Sequence, residues 1–146
     1  MSYFDEEQIH REIIMDHVKN PRNIKKSNDD YKSTYLKNPS CGDELTLYVL
    51  YDEENDIVKD ITYKVSGCSI CCSSVSMMSE LLIGKNKNQI KAIIDNFNNM
   101  VTGSDYNQEL LGDAISLKGI VIVPPRIKCA TLGYKAFVEV MSDKCE

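Results

Sequence analysis

The sequence predicts an α+β fold: a small antiparallel sheet of about three strands covered by several helices. Three observations carry that expectation. Apolar residues alternate at Leu45, Leu47, Val49 and Tyr51, and again at Ile57, Ile61, Tyr63 and Val65, as strands with one buried face do. The short polar loop Asp52 to Asp56 joins these runs, which favours an antiparallel meander. From Ser69 onward the apolar period becomes helical, supplying the elements that must cover the sheet.

A first helix is expected from Asp5 to Asn20. Its first turn is acidic (Asp5, Glu6, Glu7), Ile9, Ile13, Ile14 and Val18 recur near helical spacing, and Asn20-Pro21 stops it. His10 and His17 both lie on this charged helix, a setting in which histidines are usually solvated. Beyond the polar stretch Lys25 to Asp30 come the extended segments. Cys71, Val75, Met78 and Leu82 then form one helical stripe that ends at Gly84, and Ile90, Ile93, Ile94 and Phe97 form another. Asn98 to Ile120 is polar, punctuated by Gly103, Gly112 and Gly119, and shows no period that assigns it beyond a helical turn near Glu109 to Leu111. After Pro124-Pro125 a final amphipathic helix carries Cys129, Leu132, Ala136 and Val140 on one face.

No stretch of linker composition divides the 146 residues, so residues 1–146 read as one domain. An apolar share of 42% supports a core, while a net charge of -5 with scattered Lys and Arg argues against a nucleic-acid surface. The amino terminus lacks a basic region followed by an apolar run, and no segment approaches the length of a bilayer span, so a cytoplasmic location without membrane partners is expected. A reducing compartment disfavours stable disulfides, leaving the six cysteines to metal ligation, sulfur chemistry or packing.

Cys41 and Asp43 flank Gly42 in a loop, Cys68 follows Gly67 at a strand-to-helix junction, and Cys129 is expected to open the last helix. Helix amino termini favour thiolates, the form of sulfur that binds metals. Gly42 permits a tight turn, so that Cys41 and Asp43 can face one point. Three sulfurs and one carboxylate oxygen suit tetrahedral zinc at one end of the sheet. Four anionic ligands around a dication leave roughly two excess negative charges, which Arg126 and Lys128 are placed to balance. The separations, 27 residues from Cys41 to Cys68 and 61 from Cys68 to Cys129, are unlike those of paired zinc-finger ligands. Spacing alone therefore leaves a shared metal and unrelated thiols both open. Cys71 and Cys72 read as packing residues, and Cys145 as an incidental exposed thiol. Cys68-Ser-Ile-Cys71 matches a redox dithiol pattern but lacks the strand-helix-strand context such a motif needs.

Asn20-Pro-Arg-Asn23, Asn38-Pro-Ser-Cys41-Gly-Asp43, Gly67-Cys68-Ser-Ile, Ser76-Met-Met and Arg126-Ile-Lys-Cys129-Ala-Thr-Leu together resemble the U-type iron-sulfur cluster assembly family (NifU N-terminal, IscU-like). Within it the chain looks like the SufU branch of zinc-dependent sulfurtransferases, because Lys128 stands where IscU scaffolds carry a histidine and the Cys68–Cys129 segment is long. The resemblance implies that Cys41 accepts persulfide sulfur, that Asp43, Cys68 and Cys129 hold zinc with it, and that Arg126 assists partner exchange. It implies a pyridoxal-phosphate cysteine desulfurase (SufS-like) as sulfur donor and downstream iron-sulfur assembly proteins as recipients. A scaffold carrying iron or a transient iron-sulfur cluster is the alternative. Cys71 and Cys72 depart from the family pattern, since relatives usually carry small residues there.

Overall fold

The structure, a computed structural model, describes residues 3–39 and 42–143. Helix α1 (Tyr3–Lys19) is followed by strands β1 (Lys32–Asn38), β2 (Asp43–Asp52) and β3 (Ile57–Ser66), then helices α2 (Ser69–Leu82), α3 (Lys87–Thr102) and α4 (Pro124–Asp143). Two 3-10 helices, Gln108–Leu110 and Gly112–Ile122, separate α3 from α4. The strands form one antiparallel sheet in the order β1-β2-β3, the meander that the short polar loop implies.

Period two in β2 buries Asp43, Leu45, Leu47 and Val49 on a single face. In β3 the simple alternation breaks. Leu50 pairs with Asp60 but Tyr51 pairs with Val58, so a bulge leaves Lys59 unmatched and reverses the phase. Val58 is therefore fully buried while Ile57, expected on the core face, is 38% exposed.

Helices α2 and α4 lie on the sheet, α2 against β3 and α4 against β1 and β2. Gly133 brings them close to each other, for a Cβ there would sit 3.1 Å from Val75 Cγ2. Phe97 of α3 stacks on Tyr134 of α4, ring centres 4.2 Å apart. Helix α2 is enclosed nearly all round: Cys71, Val75, Met78 and Leu82 are buried as expected, and so are Ser73, Ser74, Ser76 and Ser79. The serines survive burial because each finds a partner, as Ser74 Oγ does in donating to the Ala130 carbonyl at 2.6 Å.

Most of the segment without a legible period is helical after all. Leu111, Ala114, Leu117 and Ile120 are all buried, and their spacing of three is that of a 3-10 helix. At the other end of the chain α1 departs from its expected stripe. Ile9 is exposed, and His17 is fully buried instead of solvated. Its Nε2–H donates to Asp113 Oδ2 at 2.9 Å, and Nδ1 lies 2.7 Å from Ser76 Oγ, which also accepts the Arg22 amide at 3.0 Å.

Candidate metal centre

Asp43 occupies the core face at the start of β2, in line with three aliphatic side chains, so its charge demands compensation. Oδ1 accepts the backbone N–H of Cys68 at 2.9 Å. Oδ2 is buried and has no hydrogen-bond partner among the described residues. Gly67 makes this placement possible. A Cβ at that position would collide with Asp43 Oδ1 and lie 2.9 Å from Asp43 Cγ.

Cys68 is the N-cap of α2, with extended backbone (φ -73°, ψ 164°), so its sulfur is carried at the positive end of that helix. Cys129 does not open α4 as expected. The helix already begins at Pro124, a residue suited to the first helical position, which leaves Cys129 sixth and fully buried. The helix field fades beyond the first turn, so it bears on the position of Cys68 and not on that of Cys129. Cys129 Sγ instead accepts a hydrogen bond from buried Asn38 Nδ2 at 3.8 Å, the β1 residue paired with Asp43.

From β2, the α2 cap and the second turn of α4, ligand atoms of Asp43, Cys68 and Cys129 converge to within 4.8 Å of one another. Metal–sulfur bonds of about 2.3 Å and metal–oxygen bonds of about 2.1 Å put tetrahedral ligand atoms a little under about 4 Å apart, so small side-chain shifts would place all three on one ion. The mixed sulfur and oxygen donors and the orphaned Oδ2 both fit zinc. Cys41, expected as the fourth ligand, lies outside the described residues, as does Cys145. Next to Cys41, Gly42 adopts φ 74° and donates its N–H to the Asn38 carbonyl at 2.9 Å, consistent with the tight turn expected of it.

The profile described as NifU-like N terminal domain matches residues 9–138. This chain belongs to that family. Like it is the zinc-dependent sulfurtransferase SufU of Bacillus subtilis (strain 168), 40% identical over 129 residues that cover 88% of this chain and 86% of the relative. The iron-sulfur cluster assembly scaffold protein IscU of Streptococcus pyogenes serotype M1 is 39% identical over 128 residues, covering 87% and 79%. Among solved structures, a putative iron-sulfur cluster assembly scaffold protein for the SUF system from Fervidobacterium islandicum superposes with a TM-score of 0.82 at 34% identity, covering 88% of this chain and 93% of that one. The α+β architecture is thus the one this NifU-like domain shares with its relatives.

Around the convergent trio the NifU-like domain keeps its cations outside. Arg126, in the first turn of α4, and Lys128 are both exposed. The two adjacent cysteines of α2 part company. Cys71 is fully buried in the core, as expected, whereas Cys72 is only partly buried and its Sγ–H donates to the Gly67 carbonyl at 3.7 Å. Burial pushes the Cys72 thiol up, and the nearby Cys68 and Asp43 charges push it further. Cys72 thus packs only in part, beside the candidate ligands.

A second group, His17, Glu80 and Asp113, also brings ligand atoms within 4.8 Å. Both nitrogens of His17 are already engaged there, and Arg22 Nε lies 4.0 Å from Glu80 Oε1, so the group reads as a structural tie. Sequence reasoning missed Asn38, Cys72 and His17 as site or anchor residues. Their signals were present, since Asn38 begins the quoted loop motif, Cys72 falls one turn from Cys68, and His17 lies three and four residues beyond Ile14 and Ile13.

No helix of the described residues is long and apolar enough to cross a membrane.

Proposed function

We propose that this chain is a zinc-dependent sulfurtransferase that accepts persulfide sulfur on Cys41 from a pyridoxal-phosphate cysteine desulfurase and passes it to iron-sulfur cluster assembly proteins. The observation that carries this reading is the buried, unpartnered oxygen of Asp43 beside two thiols, in a chain 40% identical to a zinc-dependent sulfurtransferase. Asp43, Cys68 and Cys129 would hold zinc together with Cys41. When bound, zinc supplies a Lewis acid that keeps its sulfur ligands ionised near neutral pH.

The chain's own residues do the rest. Cys41 thiolate attacks the outer sulfur of the donor's cysteine persulfide; the new sulfur–sulfur bond forms as the old one breaks, and the donor leaves as a thiolate. No net oxidation occurs, because one persulfide is exchanged for another. Gly42, next to Cys41 in sequence, takes the left-handed backbone that a tight turn before β2 requires. Arg126, exposed near the start of α4, is available to steer the partner's approach.

Desulfurase turnover with and without this protein is the direct test. Cys41→Ala is expected to abolish the stimulation while the circular-dichroism spectrum stays that of the native chain. Stimulation that survives the substitution would rule out Cys41 as acceptor.

A second reading, a scaffold that assembles and transfers a transient iron-sulfur cluster, is favoured by the 39% identity to the Streptococcus pyogenes scaffold. An anaerobic preparation separates the two. Colourless protein with one zinc supports sulfur transfer, and brown protein that donates a cluster supports the scaffold.

A further inference from the structure

Two cavities lie between α3 and α4, of about 780 and about 440 Å³, and Ile94 and Val138 line both, so they join into one cleft. The larger part is lined by the start of α3, from Lys87 to Asp95, and by the end of α4, from Phe137 to Ser142. The smaller is lined by the rest of α3, as far as Thr102, and by α4 from Ile127 to Val138. The two helices therefore run antiparallel along the cleft, over about 22 Å if α3 rises about 1.5 Å per residue from Lys87 to Thr102. Ile90, Ile94 and Val101 of α3 and Ile127, Val138 and Met141 of α4 make its lining apolar. In the middle, where the two parts meet, Val138 is 49% exposed. Two antiparallel helices that share an apolar stripe open to water have the form of half a four-helix bundle.

Charge decides between occupants. Three lysines (Lys87, Lys91, Lys135) and two carboxylates (Glu53, Asp95) line the cleft, a net of +1 in a chain of net -5. Two copies therefore repel each other over the rest of their surface but not here. A partner face of one sign would meet like charges whichever sign it bore. A second copy brings both signs, and a twofold axis brings them in reverse order. Lys91 and Asp95 stand on either side of Ile94, paired at 2.8 Å within their own helix and more than half exposed, so both can reach outward.

We infer that the α3–α4 cleft is the contact face of a homodimer. Its twofold axis crosses the helices at the level of Ile94 and Val138 and sets each α3 antiparallel to its counterpart. Val138 then packs on Val138 of the second copy, and Lys91 faces Asp95 of the second copy, twice over. The apolar side chains of four helices form a common core. The inference stands apart from the zinc reading, since none of these residues belongs to the candidate centre.

Sedimentation equilibrium of the full chain in reductant is the test. Wild type is expected to form a dimer that dissociates on dilution. Val138→Glu should raise the dimer dissociation constant about tenfold or more. Its circular-dichroism spectrum should stay that of wild type, because the site is already half exposed. Lys91→Glu and Asp95→Lys should each weaken self-association by setting like charges face to face. The two variants mixed should associate with each other more tightly than either does alone, a rescue that a merely structural role for the pair does not produce. Three results overturn the inference: wild type monomeric at every attainable concentration, a dimer that Val138→Glu leaves intact, or mixed charge variants that associate no better than each alone. A monomer whose cleft gains hydrogen-exchange protection only when a cysteine desulfurase is added assigns the cleft to that partner and overturns it as well.

Discussion

At the scale of single residues the site depends on an absence of side chain at Gly67. Asp43 can turn Oδ1 to the Cys68 amide only because nothing projects from Gly67 into that space. Gly67→Ala is expected to push the carboxylate away from the two sulfurs, costing about 1–3 kcal/mol in urea unfolding and lowering zinc retained after dialysis. Unchanged zinc content would mean that Asp43 contributes no ligand. The aspartate and the two described cysteines were legible as candidates because their residue types are those of metal donors, and the loop glycine because it permits a tight turn. Asn38 was not, since its contact with Cys129 spans 91 residues and the loop motif it begins does not announce that partner. The place of Cys129 within α4 was misjudged for a local reason: Pro at the first helical position begins a helix as readily as it ends one.

Among the elements, α2 has the most demanding surroundings. Its amino end presents Cys68 to the candidate centre, while Ser76 and Ser79 on its later turns receive the end of α1 and the residues after it. His17 joins three elements there, through Ser76 of α2 and Asp113 of the 3-10 helix. His17→Ala is expected to cost about 2–4 kcal/mol by leaving a cavity and an unpaired polar group. Zinc content per folded chain should not change, a combination that chemical denaturation with metal analysis can check. The strands and α2 were readable because their apolar periods, two and near 3.6, are strong. The bulge that exposes Ile57 was not, since an unmatched residue leaves composition untouched. The Gly112–Ile122 segment carried a period too, but one of three, which a search for α-helical spacing passes over.

For the molecule as a whole, the three described candidate ligands come from three elements that pack together only in the folded state: β2, α2 and α4. An ion bound there stabilises the fold by mass action, by about 2.7 kcal/mol when free ion stands a hundredfold above its dissociation constant. Chelation should therefore lower the melting temperature by several degrees, and added zinc should restore it; a melting curve indifferent to chelator would argue against a shared ion. The architecture was legible from local patterns because a meander with covering helices is built mostly from neighbours in sequence. The centre was less so, as separations of 25 residues between Asp43 and Cys68 and 61 between Cys68 and Cys129 carry no periodicity of their own.

The position of Cys129 on the last described helix also bears on how the protein is born. Translation delivers β2 and the start of α2 long before α4, so a nascent chain holds at most part of the candidate donor set while the ribosome is still adding residues. On the proposed ligand set, capture of an ion would fall after synthesis of the α4 segment, and a product halted before it would lack one of the sulfurs proposed to hold metal.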